Sequence, residues 1–130
     1  MSTKIPVNAA RLCGEILDLD EGIRFAGIAT KFGKVVASIY REGLDPLLTR
    51  QESELSVTQS IIRMGTRQTL EQKLGKTVYA FAMYEKVKRA TIPMRDPESH
   101  ILMVSFDNRS DHERLILEKI IPLVREQTAP

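Results

Sequence analysis

At 130 residues the chain has the size of a single domain, 1–130, long enough to bury about two-thirds of its extended surface without disulfide or metal staples. A net charge of +2 is too small to imply nucleic acid by itself, and a single cysteine, Cys13, excludes an internal disulfide and any multi-cysteine zinc site. Aromatic residues make up 5% and Trp is absent, so the core must be built from Ile, Leu, Val, Met and Ala.

The opening MSTKIPVNAARL lacks the apolar run of a secretory signal, and no stretch approaches the ~20 apolar residues that span a bilayer. A cytoplasmic location without membrane contact is the expectation. Residues 1–7 read as a frayed leader. Asn8 can cap a helix over about 9–19, whose apolar face is Leu12, Cys13, Ile16 and Leu17. Cys13 on that face reads as a small core residue rather than a reactive thiol. Asp18-Leu19-Asp20-Glu21-Gly22 resembles the start of a calcium loop, but the twelfth position, where a bidentate Glu is needed, is Ala29. It reads as an acidic turn.

Ile23–Thr30 and Val35–Tyr40 are β-rich runs joined by Lys31-Phe32-Gly33-Lys34, a Gly-containing hairpin loop. A loop follows over residues 41–46. Thr49 with Glu52 has the form of a capping box, opening a helix with Leu55, Ile61, Ile62, Leu70 and Leu74 as its clearest apolar positions and Gly75 as its stop. The pattern predicts one continuous helix to Leu74; Gly65, about 1 kcal/mol worse than Ala, marks Met64–Thr66 as the place where it could break.

Thr77–Tyr84 alternates Tyr79, Phe81 and Met83 with the mostly smaller Val78, Ala80, Ala82 and Tyr84. After a turn at 85–88, Arg89–Met94 is a shorter strand whose Pro93 predicts an edge position or a bulge. Asp96-Pro97-Glu98-Ser99 is a turn closed by Asp96. His100–Phe106 is almost wholly apolar and predicts a central strand. Ser110 and Glu113 form a second capping-box pattern, leading into a helix with Leu115, Ile116, Ile120, Leu123 and Val124. Pro122 should kink or restart that helix, and residues 126–130 should fray. The order α-β-β-α-β-β-β-α indicates an α+β fold, an antiparallel five-stranded sheet flanked by helices.

Chemistry is sparse. The two histidines, His100 and His112, read as an edge residue beside a turn and an exposed first-turn residue. Asp107 and Asp111 flank a loop and could meet a metal, but capping explains Asp111 without one. There is no Gly-rich phosphate loop. Lys86, Lys88, Arg89 and Arg95, beside Tyr84, form the densest basic cluster and the one candidate nucleic-acid patch, diluted by Glu85 and Asp96. No catalytic residue, metal or cofactor is expected.

The order of elements, the stretch IRFAGIATKFGKVVAS over Ile23–Ser38 and the closing ILMVSF before a capped helix resemble the roadblock family within the profilin-like group. IRFAGIATKFGKVVAS, REGLDP, AFAMYEKVKRATIPM and ILMVSF are also similar to a group of small archaeal proteins that brings no established activity. The roadblock resemblance implies a non-catalytic interaction or regulatory scaffold that forms a homodimer and acts on a protein partner such as a small GTPase. It also implies an interface through Ile39 and Tyr40 on the hairpin and Leu55, Thr58, Ile62 and Gly65 on the long helix. The alternatives are a small-ligand sensor with a pocket near Ala80 and Ala82, and a nucleic-acid binder using the 84–95 hairpin.

Overall fold

The computed structural model describes residues 8–128, so the leader expected at residues 1–7 lies outside it. Helix α1 (Ala9–Leu17) starts where Asn8 accepts a hydrogen bond from the Arg11 amide at 3.1 Å, and buries Leu12, Cys13, Ile16 and Leu17. It ends two residues before the expected Leu19, because Asp18-Leu19-Asp20 turns the chain and the Asp20 carboxylate accepts from the Gly22 amide at 2.8 Å. Arg41 braces the turn: its guanidinium donates to the carbonyls of Leu17, Asp20 and Ile23 at 2.5, 2.7 and 2.7 Å.

Strands β1 (Ile23–Ala29), β2 (Val35–Tyr40), β3 (Ala80–Met83), β4 (Val87–Pro93) and β5 (Ile101–Asp107) form one antiparallel sheet in the order β2-β1-β5-β4-β3. The apolar His100–Phe106 run is thus its centre. β3 is half the expected length. Its ladder stops at Ala80–Thr91, short of the point where Val78 would face Pro93, which offers no amide. Thr77 is tied elsewhere: its amide donates to Glu71 at 3.0 Å and its carbonyl accepts from Arg95 at 2.7 Å. The expectation of an edge or bulge at Pro93 is corrected. β4 is an interior strand, and Pro93 is tolerated as its last residue, paired only with Ile101 of β5.

The capping box of α2 (Arg50–Gln68) forms as read, with the Glu52 amide 3.1 Å from Thr49 Oγ1 and the Thr49 amide 2.8 Å from Glu52 Oε1. The helix runs unbroken through Gly65. The expected continuation to Leu74 is corrected: the chain turns at Thr69–Leu70, where the Thr69 hydroxyl donates to the Thr66 carbonyl at 2.7 Å and the amides of Thr69 and Leu70 bond three residues back. A single turn, α3 (Glu71–Leu74), follows and stops at Gly75, whose φ of +90° suits glycine.

At the C-terminal end the cap is Asp111, not Ser110. Asp111 Oδ1 accepts from the Arg114 amide at 3.3 Å, while the Ser110 hydroxyl donates to Asp107 at 3.1 Å. α4 (His112–Leu115) passes through a π-helical turn (Ile116–Ile120) into α5 (Ile121–Thr128). The Ile121 amide reaches back five residues to the Ile116 carbonyl, a widening that makes room for the Pro122 ring one residue on. Residues 126–128, expected to fray, are helical.

The two faces of the sheet are covered unequally. Ile28, Ile92, Leu102, Val104 and Phe106 face α1 and the C-terminal helices, and each is 2% exposed or less. A register shift between Ile23 and Phe25 turns Ile23 to this face as well, leaving Phe25 on the other. The second face carries Phe25, Ile101 and Met103 under α2, of which only Val57, Ser60 and Met64 are buried. No helix among the described residues is long and apolar enough to cross a membrane.

Candidate interaction surfaces

Helix α2 shows the sheet one narrow strip and leaves the rest of its circumference open. Leu55, Thr58, Ile62 and Gly65 recur at spacings of three and four, which puts them within about 80° of helical arc. All four are exposed, Leu55 at 57% and Ile62 at 63%, and a Cβ built on Gly65 meets nothing within 4 Å. The structure thus brings the four helix candidates together on one unpartnered stripe. Ile39 and Tyr40 lie on β2, an edge strand, but point to opposite faces: Ile39 pairs with Ala26 on the well-covered side and Tyr40 with Phe25 on the α2 side. The Tyr40 and Phe25 rings are 4.6 Å apart and tilted by 49°.

The four basic candidates do not form one patch. Lys88 and Arg89 are adjacent in a strand and so face opposite ways. Lys88 is buried with its ammonium 2.6 Å from the Ser110 carbonyl, whereas Arg89 crosses to α2 and donates to Ser56 Oγ at 2.7 Å. Arg95 is engaged with Thr77, and Lys86 sits in the exposed β3–β4 turn.

The two histidines, Cys13 and Asp107 have structural settings. His100 Nδ1 lies 2.5 Å from Asp96 Oδ2, and the His100 amide donates to Asp96 Oδ1 at 2.7 Å, so this pair closes the β4–β5 turn. His112 is half-buried rather than exposed. Its ring stacks on Phe81 with centroids 3.8 Å apart, and burial, helped by the nearby Lys88 charge, pushes its pKa down. Burial pushes the Cys13 thiol up to about 11, the opposite of what a neutral-pH thiolate needs. Asp107 accepts from the Arg109 amide and the Ser110 hydroxyl. Among the described residues no cluster of His, Cys, Asp and Glu could hold a metal ion.

Two openings flank α2. A cleft of about 70 Å³ lies toward β3, lined by Ala80, Ala82, Arg63, Arg67 and Arg89 among others. It is where the alternative reading as a small-ligand sensor puts its pocket, but it has room for only a few waters. The larger opening was not foreseen. A groove of about 970 Å³ runs between the β1–β2 hairpin, Leu47 and Leu48 of the following loop, and the first half of α2. Phe25, Val57 and Met103 are among its apolar lining, and the Phe25 ring lies across Gly27, where an added Cβ would sit 2.7 Å from Phe25 Cζ. The one sequence signal for it was the adjacent pair Leu47-Leu48 in a loop, exposed at 56% and 36%.

Comparison with protein-family models and with curated protein sequences gives no match. Comparison of folds does. The gliding protein MglB from Thermus thermophilus matches with a TM-score of 0.71 at 16% identity, over 98% of this chain and 94% of that one. A Roadblock/LC7 domain from Streptomyces avermitilis matches with a TM-score of 0.67 at 13% identity, over 89% and 91%. An MglB in a tetrameric arrangement matches with a TM-score of 0.63 at 17% identity, over 90% and 88%. The chain therefore has the roadblock fold implied by its order of elements.

Proposed function

We propose that this chain is a non-catalytic interaction module that pairs with a second copy of itself through the outer stripe of α2 and serves as a regulatory scaffold for a protein partner. A small GTPase is the partner class that the roadblock likeness suggests. The observation that carries the reading is the stripe itself. Leu55 and Ile62 are more than half exposed, with the small Thr58 between them and the small Gly65 one turn beyond Ile62. Two large apolar residues interleaved with two small ones suit a second helix at close range, since knobs need adjacent space in which to seat. Left in water, the same stripe only costs solubility. One of the MglB structures of like fold is itself tetrameric, which fits self-association.

The test is absolute mass by light scattering across a dilution series. The wild-type chain is expected to remain a dimer on dilution, and Ile62→Asp to yield a folded monomer with unchanged circular dichroism. A wild-type monomer at every concentration would sink self-association. Loss of all structure in Ile62→Asp would place Ile62 in the monomer's own stability instead.

A further inference from the structure

The large groove carries a charge pattern that the chain as a whole does not. Five basic residues line it, Arg24, Lys34, Arg50, Lys86 and Arg89, against two acidic ones, Glu54 and Glu85, an excess of three positive charges where the entire chain has +2. Of the two acids, Glu54 is already paired with Arg50 at 3.9 Å. The basic groups stand at different margins: Lys34 at the hairpin turn, Arg50 at the start of α2, Lys86 in the β3–β4 turn. The apolar side chains lie between them. The groove follows β2 for six residues, about 20 Å of strand, and reaches across β1 and β5 toward β4. It is open along one side, so it would not wrap a small ligand as a closed pocket does. β2 itself has a free edge and the sequence VVASIY, with no charge and no proline to discourage pairing.

We infer that this groove docks a segment of a partner protein that has apolar anchor residues in its middle and acidic residues at its flanks. The apolar anchors cover Phe25 and the exposed Val35, Tyr40, Leu47 and Leu48, and the acidic flanks meet Lys34 at one end and Lys86 with Arg89 at another. About six extended residues match its length. Like the proposed function, this rests on the chain being an interaction module, but it uses a different surface from the Leu55–Ile62 stripe. The two can therefore fail separately.

The probe is a random peptide library displayed on phage, selected against the full chain and in parallel against the double variant Lys34→Glu, Lys86→Glu. Both sites are exposed, so the variant is expected to keep the thermal midpoint and the mass of the wild type. Selected peptides are expected to be apolar and rich in Asp and Glu, and the strongest of them to bind the variant on the order of tenfold more weakly. Gly27→Ala gives a second readout: the added methyl displaces the Phe25 ring into the groove and weakens the same peptides without touching a charge. No enrichment, enrichment of neutral or basic peptides, or equal binding to wild type and variant would overturn the inference. So would Lys-dependent binding of anionic vesicles or of single-stranded oligonucleotides with no acidic peptide selected. A mass change in the variant with peptide binding intact would overturn it too, by placing the two lysines in self-association.

Discussion

The two faces of the sheet are made by alternate residues of the same strands, yet they are covered to very different extents. On one face Leu102, Phe106 and Ile92 are fully buried beneath α1 and the C-terminal helices. On the other, a nineteen-residue helix buries three side chains, and a groove remains open beside it. Stability is concentrated where α1 and the C-terminal helices close over the strands. The opposite face keeps apolar side chains in reach of solvent, a state that a chain gains from only when something else covers them. The difference teaches that a fold can hold itself together with one side and leave the other for recognition.

The sharpest way to break this comparison is to cut equivalent apolar groups from each side. Phe106→Ala, at a fully buried position, is expected to cost about 3–5 kcal/mol in urea denaturation. Leu55→Ala, measured in the monomeric Ile62→Asp background, is expected to stay within about 0.5 kcal/mol of that background. Comparable losses would mean that α2 carries the monomer's stability and that the unequal faces are an illusion of exposure.

A smaller effect is expected at Gly22, where the turn before β1 meets the loop before α4. A Cβ there would stand 2.0 Å from Ser110 Oγ. Gly22→Ala should cost about 1–3 kcal/mol by overpacking. The cost should shrink when Ser110→Ala is already present, because the clashing hydroxyl is gone; a cycle of single and double variants measures that coupling. Additive losses would show that the strain lies in the backbone of the turn and not in this contact.

The covered face was legible in the sequence because periodicity states it directly. Leu12, Cys13, Ile16 and Leu17 repeat at helical spacing, and ILMVSF is too apolar for anything but a central strand. Caps at Asn8 and Thr49 were legible too, since each needs only one side chain and a nearby amide. What could not be read depended on partners far away in sequence. The brevity of β3 follows from Pro93 across the ladder and from Glu71 and Arg95 holding Thr77. The choice of Asp111 over Ser110 as the cap follows from Asp107 engaging the Ser110 hydroxyl. Lys88 and Arg89 looked like one cluster because a linear reading ignores that a strand sends neighbours to opposite faces. The groove gave almost no signal, as its walls come from residues 24 to 105 and only Leu47-Leu48 betrayed it.

Gly65 sharpens the comparison at about 1 kcal/mol. Its would-be Cβ faces open space within an intact helix, so Gly65→Ala should raise the stability of the monomer by about that amount through helix propensity alone. Under the proposed pairing through α2, Gly65→Leu should leave the monomer folded but weaken self-association, because a large side chain would then stand where the second helix is to approach. A stability gain with no change in the dilution profile of Gly65→Leu would take Gly65 out of the interface.

The smallest effect is a pH dependence at the margin of the covered face. His112 is stacked on Phe81, and burial first, then the Lys88 ammonium, disfavour its protonation, while Glu113 and Asp111 oppose them more weakly. Its folded pKa therefore lies below the ordinary histidine value of about 6.5. As pH falls through that value the unfolded chain takes up a proton that the folded chain refuses, so stability is lost on acidification. The loss levels off once the pH passes the lowered folded pKa, and above about pH 7.5 the residue contributes no slope. His112→Phe keeps an aromatic ring against Phe81 and cannot titrate. The difference in unfolding free energy between the two proteins should thus shift in favour of the variant between about pH 7 and pH 5. Parallel curves for both proteins over that range would show that solvent reaches the imidazole freely. The stacked edge of the sheet would then belong with the open face and not the sealed one.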